Sequence, residues 1–70
     1  MKNKSYIVLL MYDAIRMGTG VKIDECCEMY DISVATFRRH VAFLRAYFME
    51  QFGQNVVYDS SEKRYRLETV

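Results

Sequence analysis

Two one-sided helical patterns meet at Tyr30-Asp31-Ile32-Ser33, and this junction constrains the fold more than any other stretch of the chain. Before it, Ile23, Cys26, Cys27 and Tyr30 recur at i, i+3, i+4 and i+7, which is one face of a helix. After it, Phe37, Val41, Leu44 and Phe48 recur at i, i+4, i+7 and i+11, the apolar stripe of a longer helix. Asp31-Ile32 leaves room only for a tight turn. Ser33 is a good amino cap, because a serine side chain can accept a backbone N–H that the first helical turn leaves unpaired. The junction therefore predicts a helix over about 24–30, a turn, and a helix over about 34–51 terminated by Gly53.

The flanking segments complete the layout. Ile7, Leu10, Met11, Ala14 and Ile15 form another helical face, which predicts a first helix over about 3–17, capped by Asn3 or Ser5 and ended by Gly18-Thr19-Gly20. Val21-Lys22-Ile23 reads as a short extended connector. In the tail, Asn55-Val56-Val57-Tyr58 and Arg64-Tyr65-Arg66-Leu67 are rich in β-branched and aromatic residues, and Asp59-Ser60-Ser61-Glu62-Lys63 between them is a polar turn. That is a hairpin over about 55–68. The order helix, helix, turn, long helix, hairpin is the layout of a winged helix-turn-helix: mainly α, three helices, with a small β-hairpin wing, in a single domain over 1–70.

A chain of 70 residues holds one domain and cannot also enclose a large catalytic cleft. It contains one histidine, no phosphate-cradling glycine loop and no paired catalytic constellation, so neither an enzyme nor a metal or cofactor site is expected. The longest apolar run, Tyr6 to Tyr12, is seven residues, too short to cross a bilayer. There is no signal-peptide pattern. Cys26 and Cys27 are adjacent and read as small core residues rather than a disulfide, which points to a reducing, cytoplasmic compartment.

The net charge of +1 conceals a segregation. Asp24 to Asp31 holds four acids and no base, whereas Ile32 to Met49 holds Arg38, Arg39, Arg45 and His40 and no acid. With about 100° per residue and Phe37 at zero, the core stripe stays within about 40° of zero, and Arg39 falls near 200°. Ala35 and Ala46 flank Arg39, and Arg38 and Arg45 share one shoulder. An outward face of small residues and arginines suits a helix entering a DNA major groove, where guanidinium groups read guanine or clamp phosphate. The other shoulder carries Thr36, His40, Phe43 and Tyr47. His40 reads as a surface or shoulder residue, and Arg45 as a phosphate contact or plain surface. Phe43 and Tyr47 exceed what one core stripe needs and are candidates for a partner surface. Lys63 and Arg64 lie near the hairpin turn, where they can reach phosphates or the neighbouring minor groove.

The segment from Val21 to Val41, with Asp24-Glu25, Tyr30, Ile32-Ser33, Thr36-Phe37-Arg38-Arg39 in order, resembles the amino-terminal winged helix-turn-helix of DeoR-type and WYL-domain bacterial repressors. The tail from Val57-Tyr58-Asp59 to Tyr65-Arg66-Leu67 is similar to that family's wing, and the resemblance covers Ile7 to Leu67. It implies that Ser33, Val34, Ala35, Thr36, Arg38 and Arg39 meet DNA. His40 stands where the family usually has Asp, Val34 and Ala35 where polar or basic residues are common, and Asp31 where Gly is common. Apolar contact with thymine methyls is then the expected role of Val34 and Ala35.

The sequence thus predicts sequence-specific binding of double-stranded DNA by a bacterial-type transcriptional regulator, with the long helix in the major groove. A homodimer, and an effector domain where the chain is a fragment of a longer regulator, are the other partners to expect. The alternative is a winged-helix module for protein interaction or dimerisation that uses Phe43 and Tyr47 and does not bind DNA.

Overall fold

A computed structural model describes residues 3–68. Three helices, α1 (Lys4–Arg16), α2 (Ile23–Tyr30) and α3 (Val34–Phe52), precede an antiparallel hairpin of β1 (Val56–Asp59) and β2 (Arg64–Leu67). This is the mainly α, three-helix-plus-wing architecture that the periodicities predict. No helix among the described residues is long and apolar enough to cross a membrane.

Each helix starts and stops where side-chain and backbone chemistry allow. Asn3, rather than Ser5, caps α1: its Oδ1 accepts the Tyr6 N–H at 2.8 Å. Ser33 caps α3, its Oγ accepting the Thr36 N–H at 3.1 Å. Asp31 ends α2 in the left-handed region with φ 54°. Asp tolerates that conformation better than most residues with a Cβ, so the turn forms without glycine. Gly53, at φ 65°, closes α3 by donating to the Met49 carbonyl at 3.0 Å.

One helix begins earlier than predicted. Ile23 belongs to α2, not to the connector, because the Lys22 carbonyl already accepts the first helical bond, from Cys26 N–H at 3.0 Å. The connector itself does more than link. Val21 pairs with Tyr65 as an isolated antiparallel bridge, adding a one-residue third strand to the wing.

The core lies where α1, α2, α3 and the wing converge. Phe37, Val41, Leu44 and Phe48 of α3 bury their stripe against Ile7, Met11 and Ile15 of α1, with Val21, Cys26 and Val56 closing the sides. Tyr12 stacks on Phe48, ring centroids 5.2 Å apart, and Tyr65 carries the wing onto Phe37 at 5.9 Å. Cys26 is buried; removal from water, helped by Cys27 and Glu25, pushes its thiol up to about 11, so it acts as a small apolar residue.

His40 does not sit at the surface as the wheel suggested. It is 3% exposed and buried beside the core stripe. The reason is geometric: it lies about 60° from Phe37 on α3, inside the arc that α1 covers.

Candidate nucleic-acid interface

The first turns of α3 carry the candidate interface. Ser33 fixes the amino end, and its Oγ also donates to Thr36 Oγ1 at 3.0 Å, so the two hydroxyls at the helix start hold each other in place. Val34 and Ala35 follow, both exposed. Arg38 and Arg39 are exposed as well, and among the described residues neither is in an ion pair. Successive positions about 100° apart send the two guanidinium groups to different sides of the outward face. The unpaired N–H groups and dipole at the start of α3 favour an anion there. The fold therefore presents together the six residues that the sequence singled out on α3: Ser33, Val34, Ala35, Thr36, Arg38 and Arg39.

The wing is built differently from its expected use. Asp59 organises the turn: Oδ1 accepts the Ser61 N–H at 3.0 Å, the Ser61 hydroxyl at 2.6 Å and the Glu62 N–H at 3.3 Å. Its Oδ2 accepts from Arg66 Nε at 3.0 Å. These donors, the Ser61 hydroxyl first and then Arg66, hold the carboxyl far below the usual carboxylate range. Arg64, expected to reach phosphates, instead turns inward. Its guanidinium donates to the Thr19 carbonyl and pairs with Glu62 at 3.3 Å, and its Nε is buried. It braces the wing against the α1–α2 loop. Lys63 is exposed at the turn with φ 57°, and it borders a depression shared with Asp24, Glu25 and Glu62 and with a second cation, Lys22. Those acids partly cancel its field.

Arg45 gains a structural contact that the sequence did not suggest. Its Nε donates to the Val56 carbonyl at 3.2 Å, so it ties α3 to the first wing strand while the side chain stays exposed. The shoulder it shares with Arg38 faces the wing at this level of the helix.

The candidate partner residues are placed as follows. Phe43 is 63% exposed. Tyr47 is 41% exposed and meets Tyr12 and Phe52 edge-on at 5.8 and 5.9 Å. Tyr47 is thus half committed to an aromatic cluster, whereas Phe43 stands clear of it.

Lys4 carried no expectation from the sequence, and His40 was expected at the surface or shoulder of α3. Lys4, at the start of α1, borders the same groove as Thr36, Arg39, His40 and Phe43. His40 is a buried polar group, and its Nε2 has no hydrogen-bond partner. Its spacing, three after Phe37 and four before Leu44, already carried the helical signal of burial. Nothing in the sequence order brings Lys4 next to α3. Set beside known protein families, curated proteins and solved structures, the chain matches none of them.

Proposed function

We propose that the protein binds double-stranded DNA sequence-specifically as a transcriptional regulator, in the manner its likeness to DeoR-type and WYL-domain repressors implies. The observation that carries this reading is the amino-terminal face of α3. Two arginines without an ion pair among the described residues, and small exposed residues, surround a serine-capped helix start, on a stretch with no acid from Ile32 to Met49. A helix face of this kind fits a major groove, where bulky groups would obstruct and arginine discriminates guanine. Arg39, Thr36 and Ala35 approach base edges, and Val34 meets thymine methyls. Ser33 and Arg38 hold phosphates, and Lys63 adds a weaker backbone contact from the wing. Arg64 and Arg45 keep the wing in position for this. The adjacency of Cys26 and Cys27, which disfavours a bridge between them, fits a reducing, cytoplasmic setting.

The test is selection of bound duplexes from a random pool, followed by a salt titration on the enriched sequence. We expect enrichment of a defined site and a steep loss of affinity with salt. Recovery of unselected sequences, with no binding at low salt, would sink the reading.

A second reading rests on Phe43, which is large, apolar and 63% exposed on the other shoulder of α3. It is a docking module in which Phe43 and Tyr47 contact a protein partner. Substituting Phe43 would then abolish association while changes at Arg38 and Arg39 would not.

A further inference from the structure

We propose that the groove between the amino-terminal half of α1 and the first half of α3 binds a small organic anion with an apolar body, an aromatic carboxylate being its simplest member. The groove encloses about 800 Å³, the scale of small-molecule sites. Its chemistry is mixed in a specific way. Leu9 and Phe43 border it, 61% and 63% exposed, and give it an apolar wall open to solvent. Lys4 and Arg39 border it too, neither in an ion pair among the described residues, and no described acidic side chain lines it. The depression along α2 has the opposite character, lined by Asp24, Glu25 and Glu28.

His40 borders the groove while 3% exposed, so it forms part of the wall between the two helices. Burial and the ammonium of Lys4 both keep the imidazole neutral. The positive charge at the groove is therefore that of Lys4 and Arg39, and these two supply the countercharge for an anion. Inorganic phosphate would leave Leu9 and Phe43 uncovered. A hydrocarbon would leave the two cations unserved. An anion with a flat apolar body satisfies both halves of the lining.

The site also overlaps the DNA face. Arg39 and Thr36 line the groove. On the proposed function, which this part of the inference rests on, they approach bases as well. A bound carboxylate drawing Arg39 inward then competes with the duplex, and by linkage each lowers the affinity of the other.

The experiment has two arms. In the first, benzoate, benzyl alcohol, acetate and inorganic phosphate are titrated into the isotope-labelled full chain without DNA, with His40 ring and backbone amide resonances followed by NMR. Benzoate should give saturable shifts at His40, Leu9 and Phe43, and bind about tenfold more tightly than the other three probes. Lys4→Ala and Phe43→Ala alter exposed side chains, leave the fold intact, and should each weaken benzoate about tenfold. Equal response to benzyl alcohol would reduce the groove to an apolar depression. Equal response to acetate or phosphate would reduce it to surface charge. Either result, or no response, overturns the proposal. In the second arm, saturating benzoate should weaken duplex binding by the wild-type protein and not by Phe43→Ala. Benzoate binding by a protein that binds no duplex would support the site and remove the DNA reading. Binding of both without mutual effect would remove the overlap at Arg39.

Discussion

Val21 and Tyr65 exchange two backbone hydrogen bonds of 2.9 Å each, and these hold the wing to the connector between α1 and α2. The chain reaches this pairing through Gly20, whose φ is 77° and whose missing side chain leaves room for the strand. A Cβ there would lie 2.6 Å from the Tyr65 carbonyl oxygen. Gly20→Ala should therefore destabilise the protein by about 2–3 kcal/mol, the sum of a left-handed backbone and a clash with main chain. Gly18, at φ 89° with nothing near its Cβ position, carries only the backbone part. Gly18→Ala should cost about 1 kcal/mol. Urea unfolding of the two variants checks this, and equal midpoints would show that the close approach at Gly20 is not rigid.

Arg45 and Arg38 lie on one shoulder of α3 but should separate cleanly on mutation. Arg45→Ala removes the bond to the Val56 carbonyl and should cost about 1 kcal/mol of stability. Arg38→Ala removes an exposed side chain and should change stability by less than about 0.5 kcal/mol while weakening duplex binding. Thermal unfolding and DNA affinity measured on both variants would reveal the reverse pattern if the roles were exchanged.

Within the interface, Arg39→Ala should cost about 1–3 kcal/mol on the selected duplex and relax preference at one position. Lys63→Ala should weaken selected and random duplexes alike and reduce the salt slope by about 1. A uniform loss from Arg39→Ala on all sequences would reassign that residue to the phosphate backbone.

The buried imidazole makes stability depend on pH. Burial, with Lys4 adding to it, lowers the folded-state pKa of His40 below its ordinary value of 6.5. The unfolded chain therefore binds a proton first as pH falls. His40's contribution is complete above about pH 6.5 and is lost as pH falls through the folded value. Urea midpoints should drop between pH 7.5 and 5, and His40→Gln should flatten that slope. An unchanged slope in His40→Gln would place the dependence elsewhere. Asp59 acts in a separate, more acidic window. Its lowered pKa stabilises the fold above the ordinary carboxylate value of 3.8, and that stabilisation is lost as pH falls below it.

Much of the fold was legible because helical and strand periodicities are local. The stripe Phe37, Val41, Leu44 and Phe48, the Ser33 cap and the Gly53 stop each depend on residues a few positions apart, and each appears in the structure as expected. The hairpin was legible for the same reason, since Asp59 builds its turn from Ser61 and Glu62. The outward residues of α3 followed from the same wheel, because a side chain opposite a buried stripe has little choice but to face outward.

What the sequence by itself determined is therefore the element order, the core stripe and the arginine-bearing face of α3. Tertiary structure alone decided which polar groups those elements consume. Arg64 went to Thr19, 45 residues away, and Arg45 to Val56, because folding brought backbone carbonyls within reach of those side chains. Lys4 was brought to the groove that His40 borders by helix packing that no local spacing encodes. A basic residue's charge is written in the sequence. Whether that charge remains available to a partner depends on contacts between residues far apart in the chain.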